Sequence, residues 1–397
     1  MYKVYESLER EDIIMKILMI NVPYSGHVNP TLPLTRELVK RGHQVSYINA
    51  EEFRTKIEMT GAAFLPYANF PIGISEENKK RTCFQAAYDT AMALEELYDV
   101  LIYEMFFYPG LEIARKKGIP CVRQFSQPAW SENTWKNTSI IFKISAKLID
   151  LQVMGKKGIA AMGLRCKSMA DAIIHDKPDL NIVYVPEKFQ RNRESFDSSF
   201  EFIVPVQERG KSDNAIPYDE MKHPIVYISL GSIISNRGFC KECMRAFGGK
   251  NFSVILNTGR IAPASLGKMP DNIYAYSFVP QIEVLEHADV FLTHCGMNSV
   301  NEALCAGVPM VAMPFMNDQL ENARQIVDLG LGKRVRSFPS SGKELYRAVC
   351  EVYKNIHIKD NVIAMKNELK GQTNWEGILG KIEKLGRHQL AFHGKIV

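Results

Sequence analysis

His27 lies in the stretch PYSGHVNP, between the apolar run of residues 16–22 and the helical spacing of LPLTRELVKRG, which Gly42 ends. It falls just before, or on the first turn of, that helix, where the positive dipole end disfavours imidazolium. A neutral imidazole so placed can act as a general base. Glu104 falls at the C-terminal end of the next long apolar run, YDVLIYEMFF. A carboxylate there can hold the second ring nitrogen and stabilise imidazolium as a proton arrives. Two plainer readings stand beside these: a histidine that caps a helix, and a solvated charge at a strand end.

A second kind of chemistry sits in residues 278–323. VFLT, residues 290–293, suits a buried parallel strand, and His294, Cys295 and Gly296 break it. A helical pattern then runs from about Met297 to Ala306, and Gly307 ends it. VPMVAMP repeats the device, with Pro314, a loop carrying Asp318 and Gln319, and another helix. A helix N-terminus at the carboxyl end of such a strand presents N–H groups and a positive dipole end, which suit a phosphate.

The elements that must carry these residues follow in order. Residues 16–22, the helix ended by Gly42 and the strand HQVSYIN form a βαβ opening, the start of a doubly wound sheet. Pro30 and Pro33 suit the first turn of that helix. Residues 61–83 read as a loop-rich excursion, residues 86–97 as a helix, and IPCVRQFS as a further strand. Residues 127–169 hold Trp130 and Trp135 and helical patterns, either an apolar small-molecule pocket or ordinary packing. IVYVPEKFQ and FEFIVP read as strands. IVYISLGS, FSVILNTG and IYAYSFVPQ begin a second α/β series, and the tail from about Glu344 is helical.

The resulting division is an N-terminal extension over 1–14, a first α/β domain over 15–207, a polar linker over 208–224, and a second α/β domain over 225–397. Its last helix is free to pack back on the first domain. At 397 residues and 46% hydrophobic, the chain can bury two cores. A net charge of +5, with Lys and Arg scattered, calls for neither a nucleic-acid nor a membrane partner. No apolar run approaches the ~18 residues of a membrane span. The charged N-terminus has no signal-peptide core. Eight cysteines, mostly inside apolar runs (Cys121, Cys295, Cys305, Cys350), read as buried reduced thiols and hence a cytoplasmic protein. Cys240 and Cys243 form a lone CxxC, which reads as two residues on one helix face rather than a metal site.

Taken together, SGHVNP, YVPEKFQ…ESFDSSFEFIVP, ISLGS and the whole of residues 278–323 resemble the family-1 nucleotide-sugar glycosyltransferases, and within them the bacterial macrolide-glycosyltransferase-like group. The likeness covers nearly everything from Met15 onward. It implies the GT-B fold, an α/β architecture of two tandem Rossmann-like parallel-sheet domains facing a cleft. It implies inverting transfer of a hexose, glucose in first place, from a UDP-sugar to a hydroxyl of a small lipophilic acceptor. The UDP-sugar is a co-substrate and no cofactor is implied.

By the same resemblance His27 is the base. Glu104 stands where the family usually has an aspartate, one methylene shorter. Phe278 would lie against the uracil and the backbone of Val279 would pair with it, with Gln281 nearby. Glu302 would hold the ribose hydroxyls. His294 would contact the α-phosphate beside Gly296, with Asn298, Ser299 and Ser232 at the phosphates. Thr258 would line the same cleft, and Asp318 and Gln319 would bind sugar hydroxyls. The chain has no DxD, so no metal-bridged diphosphate is implied. Other readings are a catalytically inactive nucleotide-sugar-binding partner subunit, a transferase using a TDP-deoxysugar, and a nucleotide-sugar epimerase, against which SGHVNP argues.

Overall fold

The computed structural model describes residues 14–138, 140–153, 162–204, 216–231, 236–315, 318–336, 341–371 and 374–392. Residues 1–13 of the expected extension, 208–215 of the expected linker, and Ser232 lie outside them. The first sheet holds β1 (Lys16–Ile20), β2 (Gln44–Asn49), β3 (Ala63–Pro66), β4 (Val100–Glu104), β5 (Cys121–Phe125), β6 (Leu180–Val183) and β7 (Phe200–Phe202), in the order β3-β2-β1-β4-β5-β6-β7. The second holds β8 (Ile225–Ser229), β9 (Ser253–Asn257), β10 (Ile273–Tyr276), β11 (Val290–Thr293), β12 (Met310–Ala312) and β13 (Gly332–Arg334), in the order β10-β9-β8-β11-β12-β13. Every ladder in both sheets is parallel.

Helices cover both faces of such sheets, which explains why the central strands β1, β4, β8 and β11 are largely apolar, while β5 buries Arg123 and Gln124 among its apolar residues. In each sheet the strand order reverses between two central strands: β1 and β4 in the first, β8 and β11 in the second. A doubly wound sheet offers its ligand crevice at the carboxyl ends of that pair.

The chain divides into two compact units, Met1–Tyr184 with Asn192–Pro205 and Asn374–Val397, and Val185–Arg191 with Val206–Thr373. The helix Trp375–Phe392 therefore serves the first core. Ile378, Leu379 and Ile382 are buried there among Met15, Ile17 and Val100. Arg41 pairs with Glu376 and with Glu383 at 3.0 Å, and His43 Nε2 lies 3.2 Å from Glu383.

Three expectations are corrected. The excursion at 61–83 contains β3, and the helix expected over 86–97 spans Glu76–Ala93, where the Ser75 hydroxyl accepts the Asn78 N–H at 3.3 Å. Its first turns are polar and, but for the buried Lys79, largely exposed, so apolar spacing could not mark them. The expectation of buried thiols fails for Cys305, which is exposed, and Cys350, which is half-buried, because each lies toward the outer side of its helix. All eight cysteines are free. Cys240 and Cys243 share the helix Arg237–Phe247, and both are buried in the second core.

Candidate active site

The turn after β1 carries His27 in a short helix, Ser25–Val28, followed by a 3₁₀ turn (Asn29–Thr31) and then the helix Leu32–Lys40. The imidazole is thus in the last turn of its own helix and one turn ahead of the longer one. The expected dipole effect of the longer helix fades over that distance, and side chains set the ring's environment instead. Beneath the turn runs a buried polar network. The Asn21 amide donates to the His27 carbonyl at 3.0 Å and to the Tyr47 hydroxyl at 2.9 Å. Thr31 Oγ1 lies 2.7 Å from the same Tyr47 hydroxyl, and the Tyr67 hydroxyl donates to the Asn21 carbonyl. These bonds hold the loop in one shape, since breaking any of them strands a buried polar group.

Glu104 ends β4, and its side chain is wholly buried, which removes the reading of a solvated charge. Its Oε1 lies 2.9 Å from His27 Nδ1, and its Oε2 accepts the Phe106 N–H at 2.8 Å. Register sets Glu104 beside Gln124 of β5, so the residue just past β5, Ser126, reaches the same place. Ser126 Oγ lies 2.7 Å from His27 Nδ1 and donates to Glu104 Oε1 at 2.9 Å. The ends of β1, β4 and β5 thus converge at the strand-order reversal of the first sheet. An aromatic wall continues from the histidine: Phe106 is 5.2 Å away edge-on, Trp130 is 6.0 Å from Phe106, and Trp130 stacks on Trp135 at 5.2 Å with Phe142 edge-on to both.

The second sheet repeats the device. After β11 the chain turns through Cys295, a non-glycine residue at φ 67°. Such a conformation is costly and persists only where its surroundings fix it. Here Thr293 Oγ1 accepts the Cys295 N–H at 3.1 Å, and the buried Asn322 amide donates to the Cys295 carbonyl at 3.0 Å. The turn delivers Gly296 to the cap of the helix Met297–Ala306, where it brings no side chain to the first N–H groups. Gly307, at φ 73°, closes that helix.

The His294 ring fits between glycines. A Cβ on Gly231, just past β8, would meet its Cε1 at 2.5 Å, and one on Gly296 would meet its Nε2 at 2.6 Å. Burial lowers the His294 ring to about 4, so the ring is neutral at neutral pH.

Around this turn the expected residues fall as follows. Phe278 is 66% exposed, a large aromatic face turned to solvent, while the Val279 side chain is buried. Gln281 opens the helix Gln281–His287 and sorts three partners: its carbonyl accepts Tyr227 Oη at 3.0 Å, and its amide donates to Ser299 Oγ at 3.0 Å and Glu302 Oε2 at 2.6 Å. Ser299, expected at a phosphate, is therefore engaged on the Glu302 side. Burial pushes the Glu302 carboxyl up to about 7, against the opposing pull of the Gln281 amide. Asp318 and Gln319 open the helix Asp318–Asp328, and Gln319 Oε1 accepts the Phe315 N–H at 3.0 Å. Thr258 is buried just past β9 with its hydroxyl donated to the Ile261 carbonyl at 2.6 Å. Asn298 sits in the first turn of the helix Met297–Ala306.

Sequence reasoning did not single out Asn21, Ser126, Tyr227 or Asn322. Among the described residues no group of three or more His, Cys, Asp or Glu side chains converges as a metal cradle, and no helix is long and apolar enough to cross a membrane.

The family profile described as UDP-glucoronosyl and UDP-glucosyl transferase matches residues 210–372. The chain is 32% identical over 382 residues to the NDP-glycosyltransferase YjiC of Bacillus subtilis, covering 92% of this chain and 96% of that one. The chain belongs to the family-1 nucleotide-sugar glycosyltransferases. This transferase is also 27% identical to the oleandomycin glycosyltransferase of Streptomyces antibioticus, over 80% of this chain and 79% of that one. The crystal structure of the glycotransferase of kitacinnamycin superposes with a TM-score of 0.80 at 27% identity, covering 94% of the transferase and 99% of its counterpart. The two parallel sheets are those of the GT-B fold.

Proposed function

We propose that this transferase moves a glucose-type hexose from a UDP-sugar to a hydroxyl of a small lipophilic acceptor, with inversion. The observation that carries the reading is the His27 Nδ1–Glu104 Oε1 contact of 2.9 Å at a strand-order reversal. In this reaction His27 Nε2 takes the proton of the acceptor hydroxyl as its oxygen attacks the anomeric carbon. The bond from that carbon to the β-phosphate oxygen breaks, UDP leaves, and Glu104 balances the imidazolium. Glu104 fills the role of the shorter family carboxylate.

On the donor side, Phe278 stacks on the uracil and the Val279 backbone pairs with it. Glu302, steered by Gln281, accepts the ribose hydroxyls. His294 and the N-terminus of Met297–Ala306 meet the diphosphate, with Asn298, Ser299, Ser232 and Thr258 nearby, and Asp318 and Gln319 take sugar hydroxyls. The leaving charge grows on the β-phosphate, and backbone N–H groups with the helix dipole stabilise it there. The aromatic wall from Phe106 to Trp135 supports a lipophilic acceptor, as does the oleandomycin in the name of the Streptomyces relative. A panel of UDP- and TDP-sugars against macrolide, phenolic and sterol hydroxyls, read by mass spectrometry, tests the reading. One added hexosyl unit from UDP-glucose supports it. Transfer only from TDP-deoxysugars reassigns the donor, and no transfer from any nucleotide sugar overturns it.

Two further outcomes are expected. The reaction has no metal-bridged diphosphate, so turnover should survive EDTA. Loss that Mg²⁺ restores would contradict this arrangement. The second concerns Glu302. Ribose hydroxyls donate to its ionised form, so binding should favour ionisation of a carboxyl that stands at about 7 in the unliganded site. UDP affinity of the wild type, relative to Glu302→Gln, should therefore climb by up to about tenfold between about pH 6 and 8. Calorimetric titrations of both proteins across that range check the slope, and a ratio that stays flat would remove Glu302 from the ribose contact.

A further inference from the structure

We propose that Ser126 is a positioning residue that fixes His27 in its Nδ1–H tautomer, an inference that rests on the reading of His27 as the base. Glu104 Oε2 is committed to the Phe106 N–H at 2.8 Å, and Oε1 receives both Ser126 Oγ at 2.9 Å and the His27 ring at 2.9 Å. A carboxylate oxygen accepts, and the Ser126 hydroxyl donates its one proton to Oε1. That turns an oxygen lone pair toward His27 Nδ1, 2.7 Å away.

Nδ1 then faces two acceptors and no donor in this cluster. Only the Nδ1–H tautomer satisfies both, and the basic lone pair is left on Nε2, the nitrogen that must take the acceptor proton. The opposite tautomer would set a bare Nδ1 lone pair against the carboxylate in a buried site, where unmatched polar atoms are expensive. Ser126 and Glu104 are both buried, so water does not readily substitute for either. Ser126 also occupies the shared oxygen, which leaves Oε1 one approach direction for the ring.

The arrangement makes the two partners unequal. Losing Ser126 leaves Glu104 as the one acceptor in the cluster for Nδ1–H, so the tautomer is held more weakly. In Glu104→Gln the single amide oxygen is held by the Phe106 N–H, so the NH2 faces the serine, which can then donate to Nδ1 and favour the wrong tautomer.

Histidine-selective ¹⁵N labelling of the full chain, with the His27 resonances assigned by their loss in His27→Ala, reads the tautomer directly, whatever the acceptor. The wild type should show Nδ1 protonated and Nε2 unprotonated. Ser126→Ala should mix in the Nε2–H form and lower kcat by about tenfold, the worth of one hydrogen bond, with acceptor KM and UDP affinity unchanged. Ser126→Thr, which keeps the hydroxyl, should restore both readings. Glu104→Gln should shift the tautomer further than Ser126→Ala, and adding Ser126→Ala to it should cost no additional turnover. Ser126→Ala that keeps Nδ1–H alone would overturn the proposal, as would losses that multiply in the double variant. A shifted tautomer with unchanged kcat would leave the tautomer assignment standing and overturn His27 as the base.

Discussion

Replacing His27 with alanine should lower transfer by about 100- to 10,000-fold, the usual worth of a positioned base, and leave UDP affinity within about twofold of the wild type, as for independent sites. The expectation follows from the placement of the two clusters. His27, Glu104 and Ser126 stand at the carboxyl ends of β1, β4 and β5 in the first sheet. The residues proposed for the nucleotide, Phe278, Gln281, His294 and Glu302, all belong to the second unit. The substitution removes the proton acceptor and leaves the residues around Gly296 as they are. UDP release followed with acceptor present, together with calorimetric titration of UDP, separates the two effects. Loss of both transfer and UDP binding would move His27 into the donor site.

Gly231→Ala should be nearly as damaging, through the other cluster. Gly231 adopts φ 75°, a left-handed conformation that costs a residue with a Cβ about 1–2 kcal/mol. The new Cβ would also stand 2.5 Å from His294 Cε1. Gly296→Ala isolates the collision, because Gly296 has an ordinary φ of −62° and its Cβ would stand 2.6 Å from His294 Nε2. The ring is packed between the two glycines, so it must leave the place proposed for the diphosphate. Both variants should lose UDP affinity by about 100-fold or more, which is about 2.7 kcal/mol. Adding His294→Ala to Gly296→Ala should recover part of the folding stability, read by thermal melting, without recovering binding. Wild-type UDP affinity in Gly296→Ala would show that the ring can yield and that its position is not required.

Legibility in the sequence followed the length and apolarity of each element. The central strands β1, β4, β8 and β11 are buried on both faces, and each reads as a largely apolar run. The helix Met297–Ala306 was readable because Gly296 and Gly307 bracket it, and Gly307 takes the left-handed conformation its position demanded. β3 and β13 were not readable. Each lies at a sheet edge, four and three residues long, and β13 is the polar string GKR. The start of Glu76–Ala93 was hidden because its first turns are charged, although Ser75 carried a capping signal three residues ahead of Asn78.

The site divided in the same way. His27 could be found because it lies in the turn between an apolar run and a helical pattern, and Glu104 because it falls at the end of an apolar run. Ser126 could not, since a serine after a strand is common and its meaning comes from the register of β4 against β5. Asn322 is linked to Cys295 across 27 positions, a pairing that no local spacing encodes. Periodicity marked the tail as helical but could not say which core it served. Ile378 and Ile382 answer that only through the company they keep.

The anomeric configuration of the product tests the central claim most directly. With UDP-α-glucose as donor, a single displacement driven by His27 must invert the sugar carbon. Proton NMR of the purified product should show a β-linked glucoside, formed by His27→Ala at a rate at least about 100-fold below that of the wild type. An α-linked product would contradict it, because retention requires a second displacement or a different reaction face, and neither leaves His27 its proposed task.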